Sequence, residues 1–381
     1  MIYLDNAATT YPKPNQVYNR MSYAIKKFGA NPGRSGHDMS IESGKEVESC
    51  REIIKSLFNA KNVKDVVFTL NCTYAINLIL KGLLKPGDHV VVSCLEHNAV
   101  MRPLKKLESL DITSSVVKIY PEDNNRTLDS FRRNINSKTA LIVCMHASNV
   151  WGIKLPIERI SALAKIYKIP ILIDAAQTAG VIPIDIQKLG IDYLCMAGHK
   201  GLYGPMGTGI LITSNADKLD TIIEGGTGTS SMEFCQPKEM PKKLESGTPN
   251  VVGISGLKAG VEFVKKLGIR NILNHEMSLI NYLYYNLKKM SKIILYTSKP
   301  NADKFVPVLS FNIRGYISDE IGDILNKYNI AARTGLHCSP AAHNFFGTLS
   351  IGAVRVAPSI FTQKSDIDKL LNVINLIRIK S

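Results

Sequence analysis

Asp174 ends the apolar, β-branched run IPILIDA, and Lys200 follows the next such run, YLCMA, after only Gly198 and His199. In open α/β sheets ligands bind beyond the carboxyl ends of the strands, so both side chains are expected to reach one pocket. An amine and a carboxylate placed there have a specific joint use. The lysine condenses with an aldehyde to an imine, and the carboxylate keeps a pyridine nitrogen protonated so that the ring accepts electrons. A structural ion pair or a solvated lysine would account for the same spacing. Asn71, Cys72 and Thr73 directly precede the helical pattern AINLILKGLL, where free N–H groups and side-chain donors suit a phosphate. An ordinary helix cap uses the same residue types.

Cys338 lies in RTGLHCSP, a glycine-containing loop with His337 beside it and Arg333 five residues earlier. Positive charge there favours thiolate, which makes Cys338 a candidate nucleophile. Free cysteines are more often small buried packing residues, and Cys50, Cys72, Cys94, Cys144 and Cys195 are read that way, while Cys235, on a turn-rich segment, is read as an incidental exposed cysteine, with an auxiliary thiol as the lesser option.

The elements that must position these groups alternate from about residue 65. DVVFT, HVVVS, TALIVCMHAS and IPILIDA read as strands, with TYAINLILKGLL, NAVMRPLKKLES and PIERISALAKIYK as helices between them. Such alternation implies a mostly parallel sheet with helices on both faces. YLCMA and GTGILITS are two further strands around the loop GHKGLYGPMG, whose glycines and proline exclude regular structure. After the turn-rich stretch EGGTGTSSMEFCQPKEMPKKLESGTPN come two helical patterns, VVGISGLKAGVEFVKKLG and RNILNHEMSLINYLYYNLKKM. Strands and helices then alternate again through VPVLSFNIRG, SDEIGDILNKYN, IAARTG and GAVRVAP to a terminal helix from about Ser365. The expected division is an N-terminal arm (1–15) packing with the small domain, a large domain (16–255) and a small domain (256–381) carrying Cys338.

A chain of 381 residues with 45% hydrophobic residues can bury such a core. No apolar run approaches the ~20 residues that span a bilayer, and MIYLDNAATTYPKP lacks the layout of a secretory signal. A cytoplasmic protein without a membrane partner is expected. The seven cysteines form no CxxC pair, which argues against a disulfide framework or a structural zinc site, and no metal is expected. The net charge of +15 comes from Lys and Arg spread along the chain without basic blocks. A solvated surface is the favoured reading of it, and nucleic acid is a minority option.

LDNAATT, NCTYAIN, EHNAV, HASNVWG, DAAQTAG, AGHKGLYGPMGTG, GTPN, RTGLHC and VRVAPS stand in the order found in cysteine desulfurases of the class V aminotransferase fold. The chain resembles the branch of that family that includes SufS-type enzymes and selenocysteine lyases, over almost its whole length. The resemblance implies the pyridoxal-phosphate-dependent transferase fold type I, with a mostly parallel mixed sheet in the large domain and a smaller α/β C-terminal domain. It implies pyridoxal 5'-phosphate bound as a Schiff base to Lys200, with Asp174 on the pyridine nitrogen, Gln177 on the ring hydroxyl and His97 stacked on the ring. Asn71, Cys72, Thr73 and His199 would hold the phosphate, and Thr248 of GTPN would reach the phosphate of a neighbouring subunit, making a homodimer. Arg355 resembles the arginine that clamps the substrate carboxylate, a task suited to paired guanidinium N–H groups. Asn149 is similar to an asparagine near that carboxylate and the ring oxygen. Arg333 flanks the cysteine on the substrate side, and His37 and Arg34 in GRSGHDMS resemble a loop lining the same pocket.

The sequence departs from the family at Cys72, where a second threonine is usual, at Ala197, where serine often precedes GHK, and at Gly201, an extra glycine after the lysine. By resemblance the reaction converts L-cysteine to L-alanine, with the sulfur passing to Cys338 as a persulfide for an acceptor protein. Selenocysteine lyase, acting on L-selenocysteine, is the nearest alternative. A non-catalytic sulfur-transfer adaptor is the alternative from another class, disfavoured because Lys200, Asp174, Cys338 and Arg355 are all present.

Overall fold

The computed structural model describes residues 1–33, 36–229 and 232–378. Its strands are β1 (Ile2–Tyr3), β2 (Val66–Thr69), β3 (His89–Ser93), β4 (Thr113–Val117), β5 (Thr139–Met145), β6 (Ile171–Asp174), β7 (Tyr193–Ala197), β8 (Gly209–Ile212), β9 (Ile293–Leu295), β10 (Leu309–Ile313), β11 (Ile330–Ala331) and β12 (Val354–Val356). A seven-stranded sheet in the order β2-β8-β7-β6-β5-β3-β4 forms the large domain. Only β8 runs against its neighbours; the contacts β7-β6-β5-β3-β4 are all parallel.

Burial on both faces explains why these strands read as continuous apolar runs. Side chains alternate between faces along a strand. Val91, Ile142, Ile173 and Leu194 therefore meet Cys50, Ile54 and Phe58 of helix Asp38–Phe58 on one side. Val90, Val92, Leu141, Val143 and Leu172 meet Ile76, Ile79 and Val100 of helices Cys72–Leu83 and Asn98–Leu107 on the other. β4, which was not anticipated, closes the far edge; only Val117 of its TSSVV sequence is buried, and it lacks the apolar run that marks the others.

In the small domain β10 lies between β12 and β9, all antiparallel, against helices Ile269–Lys288, Ser318–Lys327 and Lys364–Leu376. β1 pairs in parallel with β11, tying the N-terminal arm to this domain. The expected boundary at residue 255 falls inside helix Val251–Leu267. That helix packs on helices Asn15–Lys27 and Asp38–Phe58. Among the described residues no helix is long and apolar enough to cross a membrane.

Candidate active site

Asp174 and Lys200 meet where the carboxyl ends of β6 and β7 lie side by side. They line a cavity of about 230 Å³ together with Asn71, Cys72, Thr73, His97, Asn149, Gln177, His199, Arg333 and Arg355. Eleven of the residues expected in the site thus converge from strand ends, helix starts and the small domain.

Burial lowers the pKa of Lys200, opposed by the Asp174 carboxylate and reinforced by Arg355 and Arg333, so its amine is more readily neutral than a surface lysine's. Asp174 Oδ1 accepts the N–H of Ala176 at 2.9 Å and faces the Cys72 thiol at 3.6 Å. Burial, with Asp174 and Cys195 nearby, raises the pKa of Cys72 well above that of a free thiol. The thiol therefore donates and Asp174 stays the acceptor.

Asn71 caps helix Cys72–Leu83, its side chain accepting from Tyr74 N at 2.8 Å. The N–H groups of Cys72 and Thr73 precede the first helical hydrogen bond and stand where the helix dipole favours an anion. His97 caps the next helix, its Nδ1 accepting from Ala99 N at 3.0 Å, which leaves the proton on Nε2. Burial lowers its pKa against the pull of Asp174, so the ring is neutral. Burial, with Lys200 and Lys13 nearby, brings His199 down to about 4, and its Nδ1 is buried without a partner among the described residues.

The backbone of His199 and Lys200 is held by the N-terminal arm. The His199 carbonyl accepts from Thr9 Oγ1 at 3.1 Å, Thr10 N at 3.2 Å and Lys13 Nζ at 2.7 Å, and Thr10 Oγ1 lies 3.1 Å from the Lys200 carbonyl. Gln177 Nε2 donates to the Ala7 carbonyl of the same arm at 2.9 Å. Lys13 was not anticipated; burial lowers its pKa to about 7. The extra Gly201 fits a close backbone approach: a Cβ there would stand 2.5 Å from the Ala179 carbonyl oxygen, and one on Gly180 would stand 2.1 Å from the Gly201 oxygen.

Arg355, on β12 and 1% exposed, donates to the Asn149 carbonyl at 2.9 Å and pairs with Asp5 at 2.6 Å. Its Nε is buried without a partner among the described residues, and Arg355 lines the cavity. Asp5 was not singled out from the sequence, although it belongs to LDNAATT. Asn149 uses its amide to hold the cysteine loop, donating to the His337 carbonyl at 2.8 Å and accepting from Ser339 Oγ at 2.8 Å.

Cys338 is exposed and does not line the cavity itself; it sits in an adjoining hollow with His97 and Thr73, which line both. His337 and Cys338 both have left-handed backbone, φ 52° and 57°, a strained geometry for non-glycine residues. The Cys338 carbonyl accepts from Asn98 N at 2.8 Å, and Arg333 Nη2 lies 3.7 Å from its sulfur.

The expectation that His337 adds positive charge beside the thiol is corrected. Burial and the nearby Arg355 depress its pKa strongly. Its Nε2 lies 3.3 Å from the Arg333 carbonyl, which can only accept, so Nε2 carries the proton. Its Nδ1 then accepts from His343 Nε2 at 3.2 Å, and His343 Nδ1 faces Thr348 Oγ1 at 2.8 Å. The result is a neutral relay under Trp151, and the charge at Cys338 comes from Arg333.

Other expected residues lie elsewhere in the chain. His37 is exposed and caps helix Asp38–Phe58, accepting from Ser40 N at 3.3 Å. Thr248 is exposed and accepts from Asn31 Nδ2 at 3.1 Å, outside the cavity of its own chain. Arg34 lies outside the described residues.

A mixed seven-stranded sheet with a lysine and an aspartate at adjacent strand ends, beside a second α/β unit, defines the fold type I class of pyridoxal phosphate proteins. The sequence matches the aminotransferase class-V family over residues 2–370, and the chain belongs to that family. A protein of Wigglesworthia glossinidia brevipalpis named cysteine desulfurase is 34% identical, over 97% of this chain and 91% of its own length. The apo structure of a cysteine desulfurase from Thermococcus onnurineus superposes with a TM-score of 0.90 at 28% identity, covering 98% of this chain and 93% of that one. The Escherichia coli cysteine desulfurase CsdA, in its S-sulfonic acid form, gives 0.87 at 27% identity over 98% of this chain and 93% of its own.

Proposed function

We propose that the protein is a pyridoxal-phosphate-dependent cysteine desulfurase that converts L-cysteine to L-alanine and retains the sulfur on Cys338 as a persulfide. The observation that carries this reading is the pairing of two centres. Lys200 and Asp174 line the cavity, and an Arg333-flanked thiol is tethered in the adjoining hollow through the Cys338 carbonyl.

The residues fit the cofactor. The unpartnered His199 Nδ1 and the first N–H groups of helix Cys72–Leu83 suit its phosphate, Asp174 its ring nitrogen, Gln177 Oε1 its hydroxyl and the neutral His97 ring its face. When bound, it supplies an electron sink for the bonding pair of the substrate Cα–H. Asp174, held by Ala176 and Cys72, keeps a proton on the ring nitrogen. Arg355 Nε takes the substrate carboxylate, and the Lys200 amine, kept neutral by burial, removes the Cα proton. The Cys338 thiolate attacks the substrate sulfur, the C–S bond breaks, and alanine leaves with the hydrogen that the thiol gave up. The sum is cysteine plus thiol to alanine plus persulfide.

The active unit in this reading is a homodimer in which Thr248 reaches the neighbouring copy's phosphate. Thr248 is exposed, and Met232 and Phe234 on the same turn-rich segment are fully solvent-facing apolar side chains, 95% and 108% exposed. The experiment is product analysis with the pyridoxal-phosphate-loaded protein in the presence of dithiothreitol, which reduces the persulfide to release sulfide, supplied separately with L-cysteine and L-selenocysteine. Alanine and sulfide are expected from cysteine. Cys338→Ala is expected to keep the cofactor absorbance and lose sulfide release; unchanged turnover, or keto acid as product, would overturn the reading.

A further inference from the structure

The hollow that holds Cys338 lies outside the cofactor cavity, between the outer turns of helices Cys72–Leu83 and Asn98–Leu107. It measures about 380 Å³, and its walls carry Lys81, Arg102 and Lys106, all exposed. Among the described residues lining it there is no carboxylate. Glu108, just beyond the second helix, is already paired with Lys105 at 2.7 Å. Three uncompensated cations around one concavity repel one another, and their summed field attracts an anion. The Cys338 carbonyl is bonded to Asn98 N at the start of the second helix, so the exposed cysteine is fixed at one end of this basic wall.

We propose that this groove docks an acidic segment of the sulfur-acceptor protein and delivers its thiol to Cys338. The proposal rests on the reading of Cys338 as the persulfide carrier. Asp and Glu side chains of the segment pair with Lys81, Arg102 and Lys106, and the acceptor cysteine meets the loop end. Its thiolate attacks the outer sulfur of the Cys338 persulfide; a new S–S bond forms on the acceptor, the old one breaks, and Cys338 leaves as thiolate beside Arg333. No external oxidant or reductant is needed, because one sulfur atom changes partners. An acidic protein is favoured over nucleic acid because the step needs a thiol.

The test uses the loaded protein with L-cysteine and a synthetic peptide of Asp and Glu around a single cysteine, compared with a peptide in which Gln and Asn replace the acids. Mass spectrometry follows persulfide on each peptide. The acidic peptide is expected to be persulfidated about tenfold faster, an advantage that shrinks as salt rises from about 0.05 to 0.5 M. The triple variant Lys81→Glu, Arg102→Glu, Lys106→Glu should abolish the preference and leave sulfide release to dithiothreitol unchanged. Equal rates for the two peptides, or a preference that survives the triple variant, would overturn the docking assignment. Binding of a fluorescent cysteine-free acidic peptide to the unaltered protein gives an independent readout should the triple variant fold poorly. No salt-dependent binding there would also overturn it, as would a short RNA of equal charge that binds more tightly. If dithiothreitol releases no sulfide from the unaltered protein, the desulfurase reading itself fails, and this proposal falls with it.

Discussion

The thiol of Cys72 lies 3.6 Å from Asp174 Oδ1, inside the first turn of a helix whose N-terminus opens on the cavity. A thiol is a weak donor, so this contact holds the carboxylate softly. Cys72→Ala is expected to weaken pyridoxal phosphate binding about threefold, the consequence of losing one modest hydrogen bond. A cofactor titration by absorbance checks this, and unchanged affinity would show the contact to be idle.

Arg333 is the cation in contact with the Cys338 sulfur, at 3.7 Å, while His337 stays neutral. Arg333→Met should slow alkylation of Cys338 by iodoacetamide at neutral pH about threefold, as expected for a partly exposed ion contact. His337→Phe should leave the alkylation rate nearly unchanged if the loop stays folded. The reverse pattern would restore the histidine as the source of charge.

The relay Arg333 carbonyl, His337, His343, Thr348 secures the loop beneath Trp151, whose Nε1 donates to the Ala342 carbonyl at 3.2 Å. His343→Leu leaves the buried His337 Nδ1 unpaired and should cost about 1–3 kcal/mol. Denaturant unfolding measures it, and a loss under about 0.5 kcal/mol, ordinary for surface changes, would mean that the relay is not structural. Burial also brings His343 down to about 4. A histidine lowered on folding binds fewer protons folded than unfolded, so its contribution falls as pH drops below about 6.5.

Glu96 and Glu276 have the opposite sign. Burial raises each to about 8; Glu96 Oε2 has no partner among the described residues, its Oε1 accepts from Ser93 Oγ and Met145 N, and Glu276 accepts from Tyr203. Their folded forms keep a proton that the unfolded chain gives up near pH 4.5, so the stability these two groups contribute is fully present below that pH and is lost as pH rises toward 8. The slope is about 1.4 kcal/mol per pH unit per group at its steepest. Glu276→Gln should flatten the decline of the unfolding free energy between pH 5 and 8 by about that slope; an unaltered profile would mean that the carboxyl is ionised when folded.

Much of the site was legible because its signals are local. Asp174, Lys200 and the helix starts at Asn71 and His97 each sit at the end of a run whose period or turn residues mark it, and β-sheet topology brings such ends together. Lys81, Arg102 and Lys106 gave no signal, since they are scattered lysines and arginines in sequence and converge only when helices Cys72–Leu83 and Asn98–Leu107 pack side by side.

The sequence by itself determined the order of the elements, the sheet that places Lys200 beside Asp174, and the identity of the loop bearing Cys338. Those follow from the spacing of apolar residues and from short motifs, which need no distant partner to be read. The tertiary structure alone decided that Asp5 shares Arg355, that Thr9, Thr10 and Lys13 hold the backbone of His199 and Lys200, that His337 is buried and neutral, and that Cys338 faces a basic groove outside the cavity. Each depends on residues far apart in the chain, and on burial, which sets protonation and is a property of the packed molecule rather than of any stretch of sequence.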